Sequence, residues 1–362
     1  MPLRSSTSSS ERREPSLCAS GLRPWGALWA LLFLLVFEAA VARSDWFWTF
    51  PERSRSGAFY AVERRVMARR PNPKIVVVGS SRARDAVLPS ALEHELGLVT
   101  GDVANLAMTS GSPLDARELL RRNPAYFAAV DLIIVGVEDW YFLDGRPMQE
   151  RERLFADWSE QRDGWVQRGG WPRALREHGI KSLLGTRRMG AVIRAGPKAF
   201  RRMPLDNEDR LAWRIGDVST GPRELDVSRD VQRYYDGATV ARYRITALRD
   251  LVTEGRRAGA HVVVVQIPLR DAYVDAVVRD HRDDWQQYRA RLTAFCQGLS
   301  VPLIAVDRAS DVNLVATQFR DYGHMTASGA RTYSTWLGSR VRAVARLPVP
   351  GRGEETASPR DR

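Results

Sequence analysis

At residues 74–78 a lysine is followed by Ile75, Val76, Val77 and Val78, four β-branched apolar positions in a row. A run without alternation predicts a strand covered on both faces, as in the middle of a parallel sheet. It ends in Gly79, Ser80 and Ser81, small residues that permit a sharp turn at the strand's C-terminal edge. Helical spacing precedes the run at 57–70 (Phe59, Val62, Val66, Met67) and follows it at 88–96, where Pro89 suits a first turn. A short strand is expected at 103–107, a helix at 113–122 and a third strand at 132–137. From 141 to 235 the rhythm is lost. It resumes with a helix at 238–258, a strand at 261–267 closed by Pro268, a helix at 283–299, a strand at 302–307 and a helix at 328–345. Strands and helices alternating in this way predict a parallel, doubly wound sheet. The 141–235 stretch is too long for a plain loop, so it is expected to hold its own helices as an insertion or cap over the sheet edge.

Only residues 25–41 form a strongly apolar run, at about 17 residues near the lower limit for spanning a bilayer. Arg4, Arg12, Arg13 and Arg23 precede it, which predicts a cytoplasmic N-terminus and an exported body. Glu38 falls near the outer end, and Trp46, Phe47 and Trp48 suit a membrane interface. Two expectations stand side by side: a transmembrane anchor at 25–42, or a signal peptide cleaved after Ala40-Val41-Ala42. The Ser/Arg-rich leader (1–24) and the polar tail (347–362) are expected to be disordered, leaving 43–346 as the folded domain.

Composition narrows the function. The chain of 362 residues can bury one large core with a sizeable insertion. Its net charge of +12 is spread along the length rather than gathered on one element with interleaved aromatics. That argues against nucleic acid as partner and for an anionic membrane surface or polymer. Cys18 and Cys296 are too few and too far apart for a disulfide framework or a metal knuckle. His94, His178, His261 and His281 show no ligand spacing, so neither a metal nor another cofactor is expected. The turn after the first strand lacks G-x-G-x-x-G, which disfavours a nucleotide site. Trp158, Trp165, Trp171 and Trp213 are expected in the core of the insertion or at a membrane, with sugar stacking as the alternative.

The chemistry-bearing residues lie at the two ends of the domain. A serine follows the first strand, and Asp321-Tyr322-Gly323-His324 supplies a carboxylate and an imidazole in one loop. Ser80 and Ser81 are otherwise natural helix caps, and Asp321 with His324 a natural surface pair. Together, Gly79-Ser80-Ser81, Asn105 with Ser110-Gly111, and Asp321-x-x-His324 resemble the SGNH/GDSL hydrolase superfamily. The membrane-anchored branch, which holds D-alanyl-lipoteichoic acid transfer and alginate O-acetylation proteins, is the nearer match. The resemblance covers 74–137 and 238–345.

What it implies is a flavodoxin-like, three-layer α/β/α sandwich with a five-stranded parallel sheet, and a serine esterase or O-acyltransferase acting on a cell-envelope polysaccharide or related polymer. Ser81 takes the nucleophile's place, His324 that of the base and Asp321 that of its orienting carboxylate. The backbone N–H of Ser81 and that of Ser110 or Gly111 are the candidate oxyanion donors. Arg82, Asn105 and Glu138 are the candidate substrate-binding residues; Arg82 and Arg84 read as orienting an anionic or sugar substrate at the pocket rim, or, more commonly for this pattern, as solvated helix-start arginines. For a transferase, the resemblance implies a polytopic membrane O-acyltransferase as partner. One departure stands out: where the family has Gly-x-Asn-Asp, this chain has Gly136-Val137-Glu138-Asp139. A carboxylate there repels an oxyanion unless it is protonated or turned away, which keeps open a catalytically inactive scaffold.

Overall fold

The structure, a computed structural model, describes residues 24–43, 45–144, 148–166, 192–193, 196–202, 205, 207–208 and 227–345. The leader, the tail, Cys18, Trp171, Trp213 and the side chain of Trp165 lie outside the described residues.

Pro24–Arg43 is a helix in a unit of its own, separate from the compact unit that begins at residue 44. Side chains 25–37 are exposed. Among the described residues no helix is long and apolar enough to cross a membrane, so the span expected at 25–42 is not supported. A span needs about 20 apolar residues, and here Glu38 breaks the run.

The second unit is built on a five-stranded parallel sheet of β1 (Ile75–Val78), β2 (Val103–Asn105), β3 (Leu132–Val137), β6 (His261–Gln266) and β7 (Leu303–Ile304). Their order is β2-β1-β3-β6-β7, the flavodoxin-like order expected. Register is set by burial on both faces. Ile75 and Val77 of β1, Leu132 and Ile134 of β3, and Val263 and Val265 of β6 enter one core. Val76 and Val78, Ile133 and Val135, and Val262 and Val264 enter the other. Alternate residues reach opposite faces of a strand, so every position had to be apolar.

Helices Pro89–Leu96 and Ala327–Ala345 cover the first face through Leu92, Leu96, Tyr333, Leu337 and Val341. Pro113–Arg122 and Arg242–Arg257 cover the second through Leu119, Leu120, Leu248, Leu251 and Val252. The sequence-expected helix over 57–70 is Arg55–Ala61 continued by Val62–Val66 and Met67–Arg69.

Connections leave β1 and β3 in opposite directions, so the crevice at their C-terminal ends is the topological switch point where ligands of open α/β sheets bind. Three small residues let the chain turn there. A Cβ on Gly79 (φ +152°) would lie 2.8 Å from Ala83 Cβ and from Gly136 O, and one on Gly136 would lie 2.6 Å from Ala83 Cβ.

The insertion begins and ends at a two-strand clip. β4 (Leu143–Asp144) pairs antiparallel with β5 (Thr239–Val240). The expected helix at 238–258 therefore starts later, at Arg242. Arg244, fully buried, ties the clip to the insertion: Nε donates to Glu152 Oε1 (2.6 Å), and NH1 to Trp140 O (2.8 Å) and to Asp144. Helix Asp271–Asp280 was not anticipated from the sequence. Trp158 is 65% exposed, which removes the insertion core from the uses expected for it and leaves the membrane and sugar-stacking readings.

Candidate functional site

Ser80 and Ser81 divide their roles as soon as β1 ends. Ser80 is the N-cap of helix Ser81–Ala86, its Oγ accepting from Arg82 N at 3.0 Å. Ser81, partly exposed, begins that helix and points its hydroxyl elsewhere. Ser81 Oγ is 2.8 Å from His324 Nε2, across 243 residues of sequence. His324 Nδ1 is 2.7 Å from Asp321 Oδ2.

The loop that carries the imidazole is tightly built. Asp321 Oδ1 accepts from Gly323 N (2.9 Å) and His324 N (2.8 Å), and Arg320 N donates to His324 O (2.8 Å). Burial alone would raise the Asp321 pKa. The hydrogen bond and charge of His324, helped by the two backbone donors, overcome it and lower the group to about 2. An ionised Asp321 fixes the proton on Nδ1, so Nε2 is free to accept the Ser81 proton. The imidazole and carboxylate keep about a quarter to a third of their side-chain surface exposed (26% and 31%), so the site opens to solvent.

The 108–111 turn stands beside it. Met108 N donates to Gly79 O (3.1 Å) and Gly111 N to Met108 O (2.9 Å), with Ser110 at φ +53°. A Cβ on Gly111 would be 2.3 Å from Gly79 O, so only glycine lets the turn approach the end of β1 this closely. Arg84 NH1 donates to Thr109 Oγ1 (2.5 Å), Arg151 NH2 to Thr109 O (3.1 Å) and Ser110 O (2.9 Å), and Tyr141 OH to Gly111 O (3.0 Å). Gly111 N–H is therefore engaged, which corrects its expected place among the oxyanion donors. The N–H groups of Ser81 and Ser110 keep no partner among the described residues.

Two further expectations change. Asn105, 1% exposed, donates through Nδ2 to Arg84 O (3.1 Å) and Val87 O (2.8 Å), and its Oδ1 accepts from Ala107 N (3.1 Å). With both amide hydrogens engaged it shapes the loop and has no donor left for a substrate. Arg82 and Arg84 are not at a rim: they are 3% and 7% exposed. Arg84 forks onto Asp85 (2.8 and 3.0 Å), and Arg320 from the His324 loop also reaches Asp85. Burial would raise the Asp85 pKa, but Arg84 and then Arg320 hold it well below the usual carboxylate range.

Arg82 lies beneath the site. A Cβ on Gly323 would be 2.7 Å from Arg82 Nε, and the guanidinium stands 5.1 Å from the centre of the Tyr322 ring. Nε is 3.0 Å from Glu138 Oε2, and NH1 is 3.4 Å from Asp139 Oδ1. Burial opposes the charge on Arg82, yet Glu138, Tyr322 and Asp139 hold it cationic. The residues that sequence reasoning missed are the distant ones: Arg151 and Tyr141, which fasten the turn from the insertion side. A buried arginine gives no local signal, since its partner decides its place.

The geometry amounts to a hydroxyl, an imidazole and a carboxylate in hydrogen-bonded series at a sheet's switch point. That series can transfer a proton from the hydroxyl and lower the barrier to its attack on a carbonyl. No protein-family model matches this chain, and no curated protein matches it significantly.

Proposed function

We propose that the protein is an exported serine esterase or O-acyltransferase of SGNH type, acting on a cell-envelope polysaccharide or a related polymer. The observation that carries the reading is the unbroken series from Ser81 Oγ through His324 to Asp321, at 2.8 and 2.7 Å. Ser81 Oγ attacks the acyl carbonyl while its proton moves to His324 Nε2. The imidazolium so formed is stabilised by Asp321, and the N–H groups of Ser81 and Ser110 face the developing oxyanion. His324 then protonates the leaving alcohol. Water or a sugar hydroxyl, deprotonated by the same nitrogen, releases the acyl group from Ser81.

Location and partners belong to the same proposal. The exposed apolar side chains of helix Pro24–Arg43 and the arginines before it support export, with that segment as membrane anchor or cleaved signal. The diffuse +12 charge suits an anionic polymer or membrane surface. A polytopic membrane O-acyltransferase is the acyl source in the transferase version.

Turnover of a short-acyl aryl ester by the full chain tests the reading. Ser81→Ala and His324→Ala are each expected to lower kcat by about 10⁴-fold or more, and a fluorophosphonate probe to label Ser81. Equal turnover in all three proteins removes the enzyme. The engaged Gly111 N–H and the acidic Glu138 favour the second reading, an inactive polymer-binding scaffold. Unchanged polymer binding by Ser81→Ala, with no ester turnover in any form, selects it.

A further inference from the structure

The site is assembled from three separate stretches of chain: the helix that begins at Ser81, the loop that carries His324, and the 108–111 turn. One buried carboxylate is tied to all three, directly or through Arg84. Asp85 lies in the same short helix as Ser81 and is 0% exposed. Arg84 forks onto it, Nε to Oδ1 at 2.8 Å and NH2 to Oδ2 at 3.0 Å. The third nitrogen of Arg84, NH1, crosses to Thr109 Oγ1 in the turn at 2.5 Å. From the His324 loop, Arg320 NH2 donates to the same Oδ2. The peptide oxygen of Asp85 accepts from Asn207 Nδ2, so the insertion reaches this point as well.

Arg320 is bound at both ends. Its Nε donates to Met325 O (3.2 Å) and its peptide N to His324 O (2.8 Å). The guanidinium that reaches Asp85 is thereby fixed to the residues at the loop's far end. The loop's inner bonds do not involve Asp85. Asp321 accepts from Gly323 N, His324 N and His324 Nδ1, so imidazole and carboxylate are put together within the loop itself. What the loop lacks is a placement on Ser81, and Arg320 supplies an ionic one. Elsewhere the loop packs on Arg82 through Gly323 and Tyr322.

A carboxylate buried this deeply is costly unless both oxygens are donated to, and here both are. Burial opposes its charge, and Arg84, then Arg320, then His324 hold it ionised. Charge-assisted bonds, and forked ones above all, are selective in direction. That suits them to holding one geometry. The contact they would hold is demanding: Ser81 Oγ and His324 Nε2 stand 2.8 Å apart across 243 residues, and a misplacement of about 1 Å in such a contact costs about 10²-fold in rate.

We propose that Asp85 and Arg320 are a positioning pair whose ion pair sets the spacing of the His324 loop over the nucleophile's helix, with Arg84 referring the 108–111 turn to the same carboxylate. Neither residue touches substrate or the reacting atoms, and neither gives up a proton. The pair's role rests on the serine-enzyme reading and names what holds its two halves together.

The test uses the full chain as Arg320→Met, Arg320→Lys, Asp85→Ala and the double variant Asp85→Ala/Arg320→Met. Arg320→Met and Asp85→Ala are each expected to lower kcat on a short-acyl aryl ester by about 10²-fold, with KM changed less than about threefold. Lysine restores a cation facing Asp85 and is expected to recover about tenfold over methionine. Both single changes break one link, so the double variant should be no slower than the poorer single. The Arg320 side chain is 23% exposed, which keeps its variants foldable, and Asp85→Asn stands in where alanine does not fold. Two readouts separate positioning from loss of structure. The proton between His324 Nδ1 and Asp321 resonates far downfield of the amides, and it should persist in Arg320→Met, where the loop is displaced but intact. In urea, the stability losses of the two single variants should sum to more than the loss in the double variant. Wild-type kcat in Arg320→Met, an equal loss with lysine and methionine, a vanished downfield proton, or strictly additive stability losses overturns the proposal. If wild type turns over no faster than Ser81→Ala, the enzyme reading fails and the positioning role with it, while the urea coupling still decides whether the pair joins loop to helix.

Discussion

Arg151 reaches from the insertion to the turn beside Ser81, and removing it should both weaken the fold and displace the turn. Its guanidinium forks onto Asp115, Nε to Oδ1 and NH2 to Oδ2 at 3.1 Å, and NH2 also donates to Thr109 O and Ser110 O. Both ends of the pair are 1% exposed. Arg151→Ala leaves the Asp115 charge buried with only Ser112 N (2.7 Å) and Ser112 Oγ (2.9 Å) donating to it. Breaking a buried pair on one side costs about 3–5 kcal/mol, a large part of the roughly 5–15 kcal/mol that holds a domain folded. Asp115→Ala also costs stability, because the buried guanidinium loses its carboxylate and keeps the carbonyls of Thr109 and Ser110. The double variant should regain about 2–3 kcal/mol over the sum of the two, since neither charge is then left alone. Urea unfolding of the four proteins gives the coupling. Arg151→Lys keeps the charge but not the fork, so Ser110 loses one of its holds at φ +53°. A displacement of about 1 Å there lowers kcat by about 10²-fold with KM little changed. Single variants whose stability losses simply add would refute the pair's role, and an Arg151→Lys protein with wild-type kcat would refute its hold on the turn.

Three other outcomes follow from named groups. Asp321 is lowered to about 2 from an ordinary 3.8, so its contribution to stability is present above about pH 4 and lost as pH falls through 2. The stability gap between wild type and Asp321→Asn should therefore shrink over that window, and a constant gap in acid unfolding refutes it. Gly111→Ala drives a Cβ to 2.3 Å from Gly79 O, an overlap with backbone expected to cost about 1–3 kcal/mol. A thermal-unfolding midpoint equal to wild type would show that the turn has room. Cys296 is buried, and burial pushes its thiol up to about 12; maleimide should label it only as fast as the chain unfolds, and rapid labelling under native conditions contradicts its burial.

The parts legible in the sequence were those whose cause is local. β3 needs β-branched and aliphatic residues on both faces, and 132–137 supplies them at every position but Gly136; the strand falls on those residues. Helix Pro113–Arg122 begins at a proline, with Ser112 and Asp115 forming a capping box. β4 and β5 left no trace, because two residues carry no period. Helix Asp271–Asp280 follows Pro268 closely, which read as the end of a strand and hid the start of the next element. The site divides in the same manner. Ser81, Asp321 and His324 are small-spacing motifs and meet as expected. Arg82 and Asn105 read as substrate-binding candidates and Arg84 as a rim residue, yet all three are buried, and nothing in their local spacing signals it.

The clip formed by Leu143–Asp144 and Thr239–Val240 gives the insertion neighbouring points of departure and return. A segment entered and left through one doorway can lengthen, shorten or be exchanged at little entropic cost to the sheet. Arg151 makes the exchange consequential, because whatever replaces the insertion must also supply a hand to hold the turn at Ser110. A change in the insertion is thereby yoked to a change in the turn beside Ser81.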